Sequence, residues 1–172
     1  MAWDVVASLD SPTAGAFTFT GLTLTSYKVI RVEIEGVTVT TDGTDIKLTF
    51  YVSGSEVTAN YAWFSRSLST SGTTNADSAT AQAAILLVSN DANFDVGNAS
   101  TKSFGAQVTV DAPGSTAIHK KASLESWCIG PTGNAFPVHG VGQLDNAGAI
   151  DGLKLGGTSN LVAGKVRILG VV

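Results

Sequence analysis

The two histidines, His119 and His139, are the only imidazoles that could supply general acid–base chemistry in this 172-residue chain. The sequence has no Gly-x-Ser-x-Gly turn of the kind that presents a nucleophilic serine. It also lacks the His-Glu-x-x-His and Cys-x-x-Cys spacings of zinc sites, and the single Cys128 cannot form a disulfide within the chain. We therefore predict no catalytic residue, metal or cofactor, and interpret both histidines as exposed or interface side chains.

Two acidic patterns contain residue types that could form a site. Residues 91–98 resemble the opening of a calcium loop, with oxygen-bearing side chains at alternate positions. However, Gly97 falls one place late and Lys102 stands where the closing glutamate belongs, so a turn rich in Asx residues is favoured. Glu33 and Glu35 share one strand face about 6–7 Å apart. A carboxylate pair could serve glycoside hydrolysis, but a solvated outer face explains these two equally well.

The aromatic segment after Asn60 has the strongest potential for binding. Tyr61 and Trp63 alternate onto one strand face, while Phe64 lies on the other. If the Tyr61/Trp63 face is exposed, these rings with Asn60 and Arg66 would form a platform for a sugar or a protein. If that face is internal, both rings fill the core. The sequence leaves both alternatives open.

Apolar and polar residues alternate with period two along most of the chain, and this pattern predicts antiparallel strands with one buried face. Asp-Gly, Pro-Gly and Gly-Gly pairs separate the runs and predict turns. Many short strands with turns between them indicate a sandwich or a barrel of about nine to eleven strands. The predicted strands lie near 4–9, 16–22, 27–39, 45–53, 60–68, 81–88, 104–111, 117–129, 135–143, 148–155 and 164–171.

The middle of the chain departs from this regular pattern. Residues 65–80 are rich in Ser, Thr and Asn and predict an exposed loop or an arm that orders against a partner. Residues 75–88 are rich in alanine, so a short helix competes there with a strand, and the strand is favoured. No repeat or second composition class is present, so we expect one domain over residues 1–172.

The composition restricts the partners. Charged residues make up 14% of the chain, below the usual quarter, and the net charge is −4 without a basic run. Nucleic-acid binding is therefore not expected. No apolar run reaches the length of a membrane helix, and the N-terminus lacks the features of a signal peptide. A surface with few charges, covered by Ser, Thr, Asn and Gly, is suited to contacts with neighbouring subunits or sugars.

Characteristic blocks of strand and turn residues occur in a set order over nearly the whole chain: residues 3–9, 17–22, 26–32, 41–43, 46–50 with Gly54 and Tyr61, 96–99, 105–108 with Pro113, 149–155 and 163–171. In their combination and order, these blocks resemble a group of small virion proteins of tailed bacteriophages. The last block is similar to a "Gly-x-x-x-Leu-Tyr-Gly" ending, with Leu169 where those proteins usually carry tyrosine.

This resemblance implies an all-β fold, a jelly-roll-like antiparallel β-sandwich on the phage surface. Such domains occur as tail-fibre or tail-tip modules and as head-decoration proteins, and the resemblance carries no enzymatic residue. We therefore expect a structural protein of the virion. It would form a homo-oligomer, with a trimer favoured, and contact other capsid or tail proteins. The alternative is a receptor-binding module that recognises a host-surface glycan.

The two termini are expected to take part in assembly. Residues 3–9 and 166–172 predict edge strands that could pair between subunits, and the apolar end of the chain needs a cover. We expect the core or a neighbouring subunit to supply that cover.

Overall fold

The computed structural model describes residues 2–70, 72, 74–89 and 95–172, which fold into an antiparallel β-sandwich of two sheets. The predicted all-β, sandwich-like class is confirmed. The described residues contain these strands: β1 Asp4–Leu9, β2 Phe17–Phe19, β3 Val29–Val39, β4 Ile46–Val52, β5 Ser55–Glu56, β6 Tyr61–Leu68, β7 Thr74–Gln82, β8 Ile85–Leu86, β9 Phe104–Asp111, β10 Lys120–Ile129, β11 Ala135–Leu144, β12 Ile150–Gly157 and β13 Leu161–Val171.

The large sheet has the strand order β1-β13-β3-β9-β10-β11-β6-β7. The small sheet has the order β2-β12-β4-β5, and β8 also pairs with β4. In both sheets, a strand from the C-terminal end of the chain lies between two strands from its N-terminal part. In the small sheet β12 lies between β2 and β4, and in the large sheet β13 lies between β1 and β3. This ribbon of strands wraps from one sheet to the other in a jelly-roll-like manner.

The core lies between the sheets, and the period-two pattern positions it correctly. Inward residues of β3 are buried, whereas Arg31, Glu33 and Glu35 face outward on the same strand. Burial of such side chains contributes about 2 kcal/mol each. The inward set includes Ile30, Val32, Ile34, Ile46, Leu48, Phe50, Phe104, Val108, Val110, Leu153, Leu155, Val166 and Ile168.

The prediction of a loop over residues 65–80 was wrong, because β6 and β7 form an antiparallel hairpin across this segment. Ser65 and Ser67 occupy inward positions and are buried, so the strand alternates without apolar residues to mark it. Inward polar side chains of β7 have partners as well: Asn75 Nδ2 donates to Ser89 Oγ at 2.7 Å, and Ser89 donates to Asp77 at 2.6 Å.

Most of the segment predicted as a strand over 81–88 packs against the inner face of the large sheet. Residues 81–82 end β7 and Ile85–Leu86 form β8, while Leu87 and Val88 are fully buried without belonging to a strand. A Cβ atom on Gly142 of β11 would lie 2.6 Å from Ile85, so glycine permits this close packing. Ser126 Oγ of β10 donates to the Leu87 carbonyl at 2.6 Å. The segment therefore closes the core beneath β6, β11 and β10.

The alternative of a helix within residues 75–88 was wrong, since the described part of that segment is extended. The described residues include no helix that is long and apolar enough to cross a membrane.

The prediction of two terminal edge strands was half correct. Strand β1 is an edge of the large sheet, but β13 is paired on both sides, by β1 and β3. The other edge of this sheet is β7. The apolar C-terminal strand is thus covered by backbone hydrogen bonds within the chain itself.

Candidate functional site

The outer face of the large sheet is divided into two regions. The first, which we call the closed half, is formed by β1, β13 and β3. The second, the open half, is formed by β9, β10, β11, β6 and β7. Because residues directly opposite in an antiparallel sheet share a face, the register defines which side chains are neighbours on each half.

Charged side chains of the closed half pair with one another. Arg167 of β13 contacts Glu33 at 3.1 Å and Glu35 at 2.6 Å. Arg31 stacks over the ring of Trp3, with the guanidinium carbon 4.3 Å from the ring centre. The two arginines of this half thereby have partners within it, while the Nε atom of Arg167 forms no hydrogen bond among the described residues. Glu33 and Glu35, the carboxylate pair considered for glycoside hydrolysis, both contact Arg167 instead.

Four polar side chains at one end of the open half lack such partners. Asp111, Lys121 and Gln143 lie in one cross-strand row, and Ser123 lies in the next. None of these four side chains has a hydrogen-bond or ion-pair partner among the residues that the structure describes. Their donors and acceptors are therefore available to a ligand.

These side chains line a groove with a volume of about 520 Å³, which we call the outer groove. Its apolar floor includes Phe64 and Val141, which are directly opposite on β6 and β11 and are 47% and 54% exposed. A second depression of about 490 Å³ shares Asp111, Lys121 and Gln143 with it. Its rim is formed by residues 117–119 of the loop before β10.

The loop at this rim is held by a buried lysine. Lys120 is 1% exposed, and its Nζ donates to the carbonyls of Ser115, Ile118 (2.9 Å) and Ala147 (3.3 Å). Burial lowers the pKa of this amine from its ordinary value. The adjacent Lys121 points the opposite way, because successive strand side chains alternate in direction.

A second apolar feature, the apolar row, lies at the other end of the open half. It consists of Trp127 and Pro137, which are directly opposite on β10 and β11, and of Leu68 on β6, which follows the residue opposite Val138. Trp127 is 53% exposed and Leu68 is 50% exposed. The Trp127 ring covers Gly105 of β9, where a Cβ atom would lie 2.3 Å from the indole. The row therefore presents a flat aromatic surface.

The residues proposed from sequence as a platform are not brought together on one exposed surface. Tyr61 and Trp63 are 0% and 7% exposed and belong to the core, so the core alternative applies to both rings. Tyr61 Oη accepts from the Phe50 amide at 2.8 Å and donates to the Val57 carbonyl at 3.1 Å. Burial, with a smaller contribution from the Glu56 charge, raises the pKa of Tyr61 to about 12.

Asn60 and Arg66 are exposed at separate places. Asn60 directly precedes β6, whereas Arg66 faces outward on the open half, opposite His139. Phe64, which the alternation set on the opposite face from Trp63, is the exposed aromatic of this strand. The alternation was thus correct, and the structure selects the core alternative for the face of Tyr61 and Trp63.

The histidines are both exposed, as expected from sequence. His119 Nδ1 lies 2.7 Å from Asp145, and His139 Nδ1 lies 3.8 Å from Glu125. Of the calcium-like segment, residues 91–94 lie outside the described residues. Within the described ranges, no three His, Cys, Asp or Glu side chains group as metal ligands do.

Sequence reasoning did not find Lys121, Ser123, Gln143 and Asp111 as one site, because they come from three different strands. The outward positions of their strands were readable from the alternation. Their proximity depends on which strands are neighbours.

Fold and surface together define a class: an antiparallel β-sandwich with a groove on the outer face of its larger sheet. Comparisons with protein-family models, with curated proteins and with solved structures found no match.

Proposed function

We propose that the chain is a structural subunit of a tailed-bacteriophage particle that assembles as a homo-oligomer, with a trimer favoured, and contacts other capsid or tail proteins. The observation that carries this proposal is the apolar row of Trp127, Pro137 and Leu68 on the outer face. Soluble monomers rarely expose contiguous apolar patches unless these bind something. Tryptophan in particular is enriched among the residues that dominate binding energy at interfaces.

The occupant favoured by the surface composition is a second copy of the chain. A net charge of −4 spread over 172 residues leaves little repulsion between copies. Contacts that rely on apolar and neutral polar area need no opposite charge on a partner. The resemblance to small virion proteins agrees with a multi-copy assembly.

The test is the mass of the protein in solution together with its presence in purified particles. Sedimentation of wild type should give an oligomer, and Trp127→Glu should shift the population toward monomer by weakening association at least tenfold. Val162→Glu is the matched control, because Val162 is 56% exposed on β13 and lies outside the row. A monomeric wild type at high micromolar concentration, or particles that lack the polypeptide, would contradict the proposal.

A further inference from the structure

We propose that the outer groove binds a neutral oligosaccharide. The groove and the apolar row lie at opposite ends of the open half, so this inference does not depend on the proposed oligomer contact. It adds a ligand-binding activity to a structural subunit.

The first argument is the chemical range of the groove's polar side chains. Sugar hydroxyls both donate and accept hydrogen bonds. Lys121 supplies donors only, Asp111 supplies acceptors only, and Gln143 and Ser123 supply both. All four side chains lack partners among the described residues. These groups form hydrogen bonds with water in the free protein. An apolar ligand would displace that water and offer no hydrogen bonds in return, which costs about 1–3 kcal/mol for each group.

The second argument is the apolar floor beside this polar row. Phe64 and Val141 lie directly opposite each other, and the next outward position along β11 is Gln143. The groove thus combines one exposed ring with several convergent polar groups. This is the usual composition of a small-molecule site, and the ring can cover the C–H face of a sugar.

The third argument is shape and charge. The row Ala62-Gln143-Lys121-Asp111 crosses four strands and is therefore about 14 Å long. This length suits a short oligosaccharide better than a single sugar. Lys121 and Asp111 cancel in formal charge, which favours a neutral ligand. A phosphorylated or strongly acidic ligand would gain no net attraction, because Asp111 offsets Lys121.

A peptide is disfavoured as the occupant. Extended peptides bind most readily by adding a strand to a free sheet edge. Most of the groove instead crosses β6, β11 and β10, whose backbones are paired on both sides, and only residues 78–80 of its lining belong to the edge strand β7.

The test uses an array of neutral and acidic oligosaccharides of bacterial surfaces, followed by calorimetric titration of the strongest neutral sugar. Wild type should bind neutral members, and Phe64→Ala and Gln143→Ala should each weaken binding at least tenfold. Trp127→Ala, on the same face but outside the groove, should bind like wild type. Thermal unfolding of each variant establishes that the fold is retained.

Three results would overturn the proposal: no binding of wild type to any neutral member, binding to acidic members alone, or unchanged affinity in both groove variants. Loss of self-association in Trp127→Ala together with retained sugar binding would separate this site from the proposed oligomer contact.

Discussion

The two halves of the outer face of the large sheet share one backbone architecture but differ in how their polar groups are satisfied. In the closed half, Arg167 is held between Glu33 and Glu35, and Arg31 covers Trp3. In the open half, Lys121 is directly opposite Asp111 in the register, and yet the two side chains form no ion pair within the described structure.

The difference shows that outward position alone does not define a binding surface. A surface charge that already has a partner would have to lose that partner to bind a ligand. A side chain without a partner can bind a ligand at lower cost, because only water has to be displaced. The side chains of the outer groove can therefore bind a ligand at a low free-energy cost. The paired charges of the closed half instead contribute to the stability of the fold.

The largest expected effect comes from the adjacent pair Lys120 and Lys121. Lys120→Met removes a buried ammonium that donates to three carbonyls, so we expect a loss of about 3 kcal/mol in the free energy of unfolding. Lys121→Met is the matched control and should change stability by less than about 0.5 kcal/mol. Urea unfolding at pH 7 measures both. Equal losses of stability in the two variants would show that the buried amine of Lys120 contributes no more to the fold than the exposed amine of Lys121.

A second effect concerns titratable groups on the inner side of the open half. Burial, with a smaller contribution from Asp95, raises the pKa of Cys128 to about 12, and Tyr61 is raised to about 12 as well. A raised folded-state pKa means that the unfolded chain releases its proton first. The stability from these groups is therefore complete below about pH 9 and is lost as the pH rises toward 12.

We expect the free energy of unfolding to fall by about 1.4 kcal/mol per pH unit for each group within its window. Cys128→Ala should flatten the decline between pH 9 and pH 10, where the thiol titrates before the phenol. Unfolding curves recorded at pH 8, 9 and 10 give the slope. An unchanged slope in this variant would exclude Cys128 as its source.

A smaller effect distinguishes the two halves through their arginines. Arg167→Ala removes contacts with two carboxylates on a half-exposed surface, and we expect a loss of about 1 kcal/mol that shrinks at high salt. Arg66→Ala on the open half should cost less than about 0.5 kcal/mol, since Arg66 has no such contact within the described residues. A larger loss for Arg66 than for Arg167 would reverse the assignment of the halves.

The sequence by itself determined which side chains are buried along most strands. Period-two alternation is a local property, so Ile30, Val32 and Ile34 could be assigned to the core without knowledge of the neighbouring strands. The same rule separated Phe64 from Trp63. It failed in the second half of β6, where the buried Ser65 and Ser67 occupy the inward positions, and in β7, where the polar Asn75 and Asp77 do so.

The tertiary structure alone decided which outward side chains meet. Glu35 and Arg167 are 132 positions apart and become neighbours only because β13 inserts between β1 and β3. The outer groove likewise depends on the order β9-β10-β11-β6-β7, which brings distant segments side by side. Alternation assigns a face to each residue, but strand pairing between distant segments assigns its neighbours, and a binding surface is made of neighbours.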